Sequence, residues 1–94
     1  SVDIEDYKYK RDLLYNSLTE FGYKVYKPQG AFYFFVKTPI DDDIDFIQHL
    51  KKFNILAVPG IGFGRQGFFR LSYAVENSMV EKSIPYFKKA IDSL

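Results

Sequence analysis

Residues 31–36 form the longest uninterrupted apolar run of the chain, Ala31-Phe32-Tyr33-Phe34-Phe35-Val36. Together with Lys37 they read as the strongest β-strand of the sequence. A strand alternates its side chains between two faces. Because this one is apolar on both, it is predicted to lie inside a sheet rather than at its edge. The run is far short of the ~20 apolar residues that a membrane-spanning helix needs.

Around that strand the remaining elements fall into order. Apolar Ile4, Tyr7, Leu14, Leu18 and Phe21 recur at helical spacing over residues 3–21, with Lys8, Lys10, Arg11, Asp12 and Glu20 elsewhere. Gly22 suits the left-handed residue that ends many helices. Residues 23–26 read as a short strand, and Lys27-Pro28-Gln29-Gly30 as a turn. After Thr38-Pro39-Ile40 a second helix is predicted from about 41 to 53. Ile44, Phe46, Ile47 and Leu50 form its buried stripe, Asp41, Asp42, Asp43 and Asp45 lie at its N-terminal end, and Asn54 closes it. Residues 55–58 and 68–74 read as strands on either side of a glycine-rich loop. A last helix begins near Asn77 or Ser78, with Ser78 and Glu81 at capping-box spacing and Pro85 expected to kink it.

The predicted fold is therefore α+β, order α-β-β-α-β-β-α, a mainly antiparallel small sheet with helices packed on it. At 94 residues with no internal linker, residues 1–94 are expected to be a single domain. Aromatics make up 19% of so short a chain, so some are expected at the surface unless a partner covers them. Phe63 and Phe68 are candidates. The opening Ser1-Val2-Asp3 lacks both Met and an apolar signal segment, and reads as the start of a cleaved product or excised fragment.

Composition removes several function classes. Thirteen basic and twelve acidic residues leave a net charge of +1, balanced in every third of the chain. Nucleic-acid and membrane partners are therefore not expected. Without Cys there is no disulfide, thiolate site or Cys nucleophile. His49, the only histidine, has no second His or Cys with which to ligate a metal. The acidic run at 41–45 lacks the ligand spacing of a calcium loop and is better read as helix capping. Tyr7, Tyr9 and Tyr15 are read as packing surface.

Three constellations need closer reading. Gly62-Phe63-Gly64-Arg65-Gln66-Gly67 matches a dinucleotide-binding pattern letter for letter. Such a site needs the loop to open a helix, and here a strand follows. The aromatic strand 68–73 loosely resembles the RNA-stacking strand of an RNA-recognition module, so a free-standing α+β binding module for a small ligand or single-stranded RNA remains an alternative. Arg70 shares a strand face with Phe68, Ser72 and Ala74. From charge and spacing alone it is either an edge arginine, reaching solvent or paired within the chain, or a fork held ready for a carboxylate.

Residue order favours the second. Pro28-Gln29-Gly30-Ala31-Phe32-Tyr33-Phe34-Phe35, Ile55-Leu56-Ala57-Val58-Pro59-Gly60, Phe63-Gly64 and Gly67-Phe68-Phe69-Arg70-Leu71-Ser72-Tyr73-Ala74 occur in that succession, after Tyr9-Lys10-Arg11-Asp12-Leu13-Leu14. Their order and spacing resemble the C-terminal small domain of class I/II aminotransferases, the pyridoxal-phosphate enzymes related to aspartate aminotransferase. The resemblance implies a parent enzyme that moves an amino group from an amino acid to a 2-oxo acid, with pyridoxal phosphate as electron sink. It implies that Arg70 binds the substrate α-carboxylate and that Phe32 lines the substrate pocket. The Schiff-base lysine, the phosphate-binding residues and the missing large domain lie elsewhere in the family. No catalytic, cofactor-binding or metal residue is therefore expected here, and the isolated chain is expected to be inactive and to bind no pyridoxal phosphate. The resemblance further implies a cytoplasmic, homodimeric parent whose small domain closes on the large one when substrate binds.

Overall fold

A computed structural model describes residues 4–51 and 57–94, apart from the side chains of Asp43, Ile61 and Phe63. The described elements are α1 (Ile4–Phe21), β1 (Lys24–Tyr26), β2 (Tyr33–Lys37), α2 (Asp43–Lys51), β3 (Val58–Pro59), a 3₁₀ turn (Gly60–Phe63), β4 (Phe68–Ser72) and α3 (Asn77–Asp92). The order is the one read from the sequence. The expected end of the second helix near 53, its closure at Asn54 and the start of the strand at 55 fall outside the described residues.

The four strands form one antiparallel sheet in the order β1-β2-β4-β3. β2 is an interior strand, as its sequence requires. Its register against β4 pairs Tyr33 with Ser72, Phe35 with Arg70 and Lys37 with Phe68. One sheet face supplies Phe34, Val36, Phe69 and Leu71 to the core, where Leu14 and Leu18 of α1, Phe46, Ile47 and Leu50 of α2, and Val80, Phe87 and Ala90 of α3 meet them. The other face of β2 is only half-buried at Tyr33 and Phe35, so its apolar residues are not fully enclosed.

Local chemistry explains the boundaries. Gly22 takes φ +104°, with its N–H on the Thr19 carbonyl and the Tyr23 N–H on the Leu18 carbonyl. This is the paired hydrogen-bond ending that favours glycine. The Asp42 carboxylate accepts the Asp45 N–H at 3.1 Å and so caps α2. At α3 the capping residue is Glu76, without a side-chain cap bond. The capping box expected from Ser78 and Glu81 does not form: with Glu76 as the cap, Ser78 already lies in the first turn, and the Glu81 carboxylate accepts the Tyr9 hydroxyl at 2.8 Å. Ile44 also departs from its predicted burial and is exposed. At about 100° per residue it falls roughly 120° from Leu50, outside the arc that α2 buries. Lys10 departs in the opposite sense. It is buried, and its ammonium donates to the Val75 carbonyl.

Tyr23 links the layers through its hydroxyl, which donates to the Phe87 carbonyl at 2.7 Å inside the core. Burial, and then the Asp92 carboxylate, push its phenol well above the ordinary tyrosine value. The folded chain therefore holds this proton more tightly than the unfolded chain. The stabilisation is complete below about pH 10, the unfolded value, and is lost as pH rises beyond it. Urea midpoints are expected to fall between pH 9 and pH 11, and Tyr23→Phe should flatten that fall. An equally steep decline in the variant would refute the assignment.

Candidate functional site

The less buried sheet face holds the candidate site. Alternation along β4 sends Phe69 and Leu71 to the core and leaves Phe68, Arg70 and Ser72 on this face. Register then places Tyr26, Phe35, Arg70 and Val58 in one row across all four strands. The Arg70 guanidinium lies 5.3 Å from the centroid of the Tyr33 ring. Tyr33 meets Phe35 edge-on, at 5.5 Å and 88°. Phe35 in turn carries the Arg65 guanidinium at 4.9 Å. Two cations and two aromatic rings thus form one continuous ladder. Lys24 and Lys37 flank it, and none of the four strands carries a carboxylate. A face of this composition suits an anionic ligand.

The glycine-rich loop delivers Arg65 to this ladder. The Arg65 N–H bonds the Gly60 carbonyl at 2.7 Å, and the Thr38 N–H bonds the Gly67 carbonyl at 2.9 Å. A Cβ at Gly60 would meet the backbone oxygens of Arg65 and Phe68 at 2.1 and 2.6 Å, so only glycine lets the loop close this tightly. The loop leads into β4 and opens no helix, which removes the geometry of a dinucleotide site.

The two residues singled out from the sequence are not neighbours. Phe32 precedes β2 on the α1 side, with its ring 4.6 Å from Tyr7 and 6.3 Å from Tyr73. With Ile4, Lys8 and Arg11 these rings line a cleft of about 150 Å³. The Tyr73 hydroxyl donates to the Ala31 carbonyl at 2.9 Å; burial raises its pKa, and nearby Arg11 opposes the rise. The aromatic that meets the Arg70 guanidinium is Tyr33, one residue further on. Sequence reasoning missed Tyr33, Phe35 and Arg65, because their grouping depends on cross-strand register. Phe68, expected to be exposed, is half-buried and packs on Tyr26 at 5.8 Å, and the Phe63 side chain lies outside the described residues. His49 joins α2 to the end of α3, its Nε2 3.0 Å from the Ala90 carbonyl oxygen and 2.8 Å from Ser93 Oγ. Among the described residues no group of three or more His, Asp or Glu could hold a metal ion, and no helix is long and apolar enough to cross a membrane.

The family of aminotransferases of class I and II matches residues 3–86. The chain belongs to this family. Among curated proteins, the chain is 39% identical to a probable aspartate/prephenate aminotransferase of Rickettsia conorii, over 88% of its own length and 24% of the relative's. It is 35% identical to a probable aspartate aminotransferase of Methanocaldococcus jannaschii, covering 95% of itself and 24% of that protein. Among solved structures, an amino transferase from Eubacterium rectale superposes with a TM-score of 0.91 at 44% identity, over 99% of this chain and 23% of that one. The aspartate aminotransferase of Thermus thermophilus with maleate gives 0.85 at 34% identity, over 92% and 23%. The chain thus spans about a quarter of the length of these relatives.

Proposed function

We propose that this chain is the small domain of a pyridoxal-phosphate-dependent aminotransferase, and that Arg70 captures the α-carboxylate of the amino acid and 2-oxo acid substrates. The observation that carries the reading is the position of Arg70 beside the Tyr33 ring, on the less buried face of a sheet whose four strands contain no Asp or Glu. A guanidinium can grip a carboxylate through two parallel N–H···O bonds, which fixes orientation as well as affinity. The family match and the maleate carried by the Thermus thermophilus enzyme support a carboxylate ligand.

The groove around Lys10 does not fit the cofactor. Lys10, the one buried lysine among the described residues, donates to the Val75 carbonyl in a groove that Asp6 and Glu76 also line, and those carboxylates would repel a phosphate. The electron sink that pyridoxal phosphate supplies is therefore assigned to the remainder of the polypeptide, together with the Schiff-base lysine. This chain contributes substrate capture, and its movement toward the remainder couples capture to closure.

The test uses the full-length protein. Amino-group transfer is expected from an amino acid to a 2-oxo acid, and it should be lost with the amine that lacks only the α-carboxylate. Equal turnover of amine and amino acid would overturn the carboxylate role. The isolated chain, mixed with pyridoxal phosphate, is expected to give no stoichiometric Schiff-base absorbance band. A site-specific band would move the cofactor site into these residues.

A further inference from the structure

We propose that Tyr33 is a positioning residue for Arg70, its ring face holding the guanidinium in the orientation that receives the carboxylate. The inference rests on the proposed role of Arg70 and adds the group that orients it.

Tyr33 and Ser72 are paired across β2 and β4, so Tyr33 lies diagonal to Arg70 on the same face. At this offset aromatic and long side chains still reach one another across a sheet. The guanidinium carbon is 5.3 Å from the ring centroid, inside the range of cation–π attraction. A ring attracts a guanidinium through its π face, whereas a carboxylate is gripped by the N–H groups in the guanidinium plane, so the two interactions use different parts of the group. A lysine ammonium has no such division between face and edge.

Tyr33 is itself held. Phe35 meets it at 88°, and Phe35 carries Arg65 at 4.9 Å. The ring under Arg70 is thus braced by a neighbour on its own strand, and that neighbour by the glycine-rich loop. Phe32, with its ring on Tyr7 and Tyr73, takes no part in this ladder.

The experiment compares shape-matched rings in the full-length aminotransferase. Position 33 is occupied in turn by tyrosine, phenylalanine and 3,4,5-trifluorophenylalanine, with Tyr33→Leu and Arg70→Lys alongside. Fluorine withdraws the ring's negative face while keeping its shape, so failure to fold does not confound the comparison. Phenylalanine should keep KM for the amino acid within about twofold of tyrosine. The trifluoro ring and leucine should raise it about three- to tenfold, with kcat and the cofactor absorbance unchanged. Equal KM values for phenylalanine and its trifluoro analogue would overturn the inference, provided that Arg70→Lys raises KM. If Arg70→Lys leaves KM unchanged, the carboxylate role of Arg70 fails, and the role of Tyr33 falls with it.

Discussion

On the proposed function, Arg70→Ala in the full-length protein is expected to raise KM for the amino acid about ten- to hundredfold while the cofactor absorbance stays in place. The size follows from what the substitution removes. A hydrogen bond to a charged group contributes about 1.5–3 kcal/mol, and each 1.4 kcal/mol is tenfold in affinity. Arg70→Lys keeps the charge but loses the fork, so it should fall between wild type and alanine. The fold should tolerate both changes, because Arg70 sits on the half-buried face of β4 while Phe69 and Leu71 anchor that strand in the core. Steady-state kinetics with an amino acid and a 2-oxo acid, read beside the cofactor spectrum, decide the matter. Unchanged KM would remove Arg70 from substrate binding. A lost cofactor band would mean that the residue supports the holoenzyme rather than the substrate.

One residue earlier, the same alternation predicts the opposite effect. Phe69→Ala should cost about 3–5 kcal/mol of folding stability. Phe69 is fully buried, 5.7 Å from Phe46 and edge-on to Tyr23 at 6.5 Å, so its removal opens a cavity where β4, α2 and the start of β1 meet. A domain of this size has only about 5–15 kcal/mol to lose. Each kcal/mol shifts its melting point by roughly 4–8 °C, so the transition should drop by at least about 12 °C. Phe68→Ala, on the other face, should cost no more than about 1.5 kcal/mol, since Phe68 is only half-buried against Tyr26. Paired urea titrations test the contrast. Similar losses for the two variants would mean that the sheet does not present its faces as described.

Much of this architecture was legible in the residues. An uninterrupted apolar run identified β2, and period-two alternation divided β4 correctly into a core face and an Arg70 face. Gly22 ended α1, and a carboxylate capped α2, as their local chemistry requires. The misreadings came from contacts between distant parts of the chain. Glu81 has capping-box spacing from Ser78, yet α3 starts earlier, at Asn77, and Glu81 bonds Tyr9, 72 positions away. Lys10 reads as a solvated charge on α1, yet lies buried against a carbonyl 65 positions further on. Ile44 fits a helical stripe, but only the placement of α2 against the sheet decides which arc is buried.

The candidate site divides along the same line. The sequence alone nominated Arg70, through its place in an apolar strand and through residue order that resembles a known family. It also fixed the α+β element order, because periodicity and turn chemistry act over a few neighbouring residues. Tertiary structure alone assigned Tyr33 to the Arg70 guanidinium, brought Arg65 to Phe35, and put Phe32 on the α1 side. Those pairings depend on strand register and loop closure. A one-residue slip would turn every side chain of a strand to the other face, and the register is held by the burial of Phe34, Val36, Phe69 and Leu71 together rather than by any local signal.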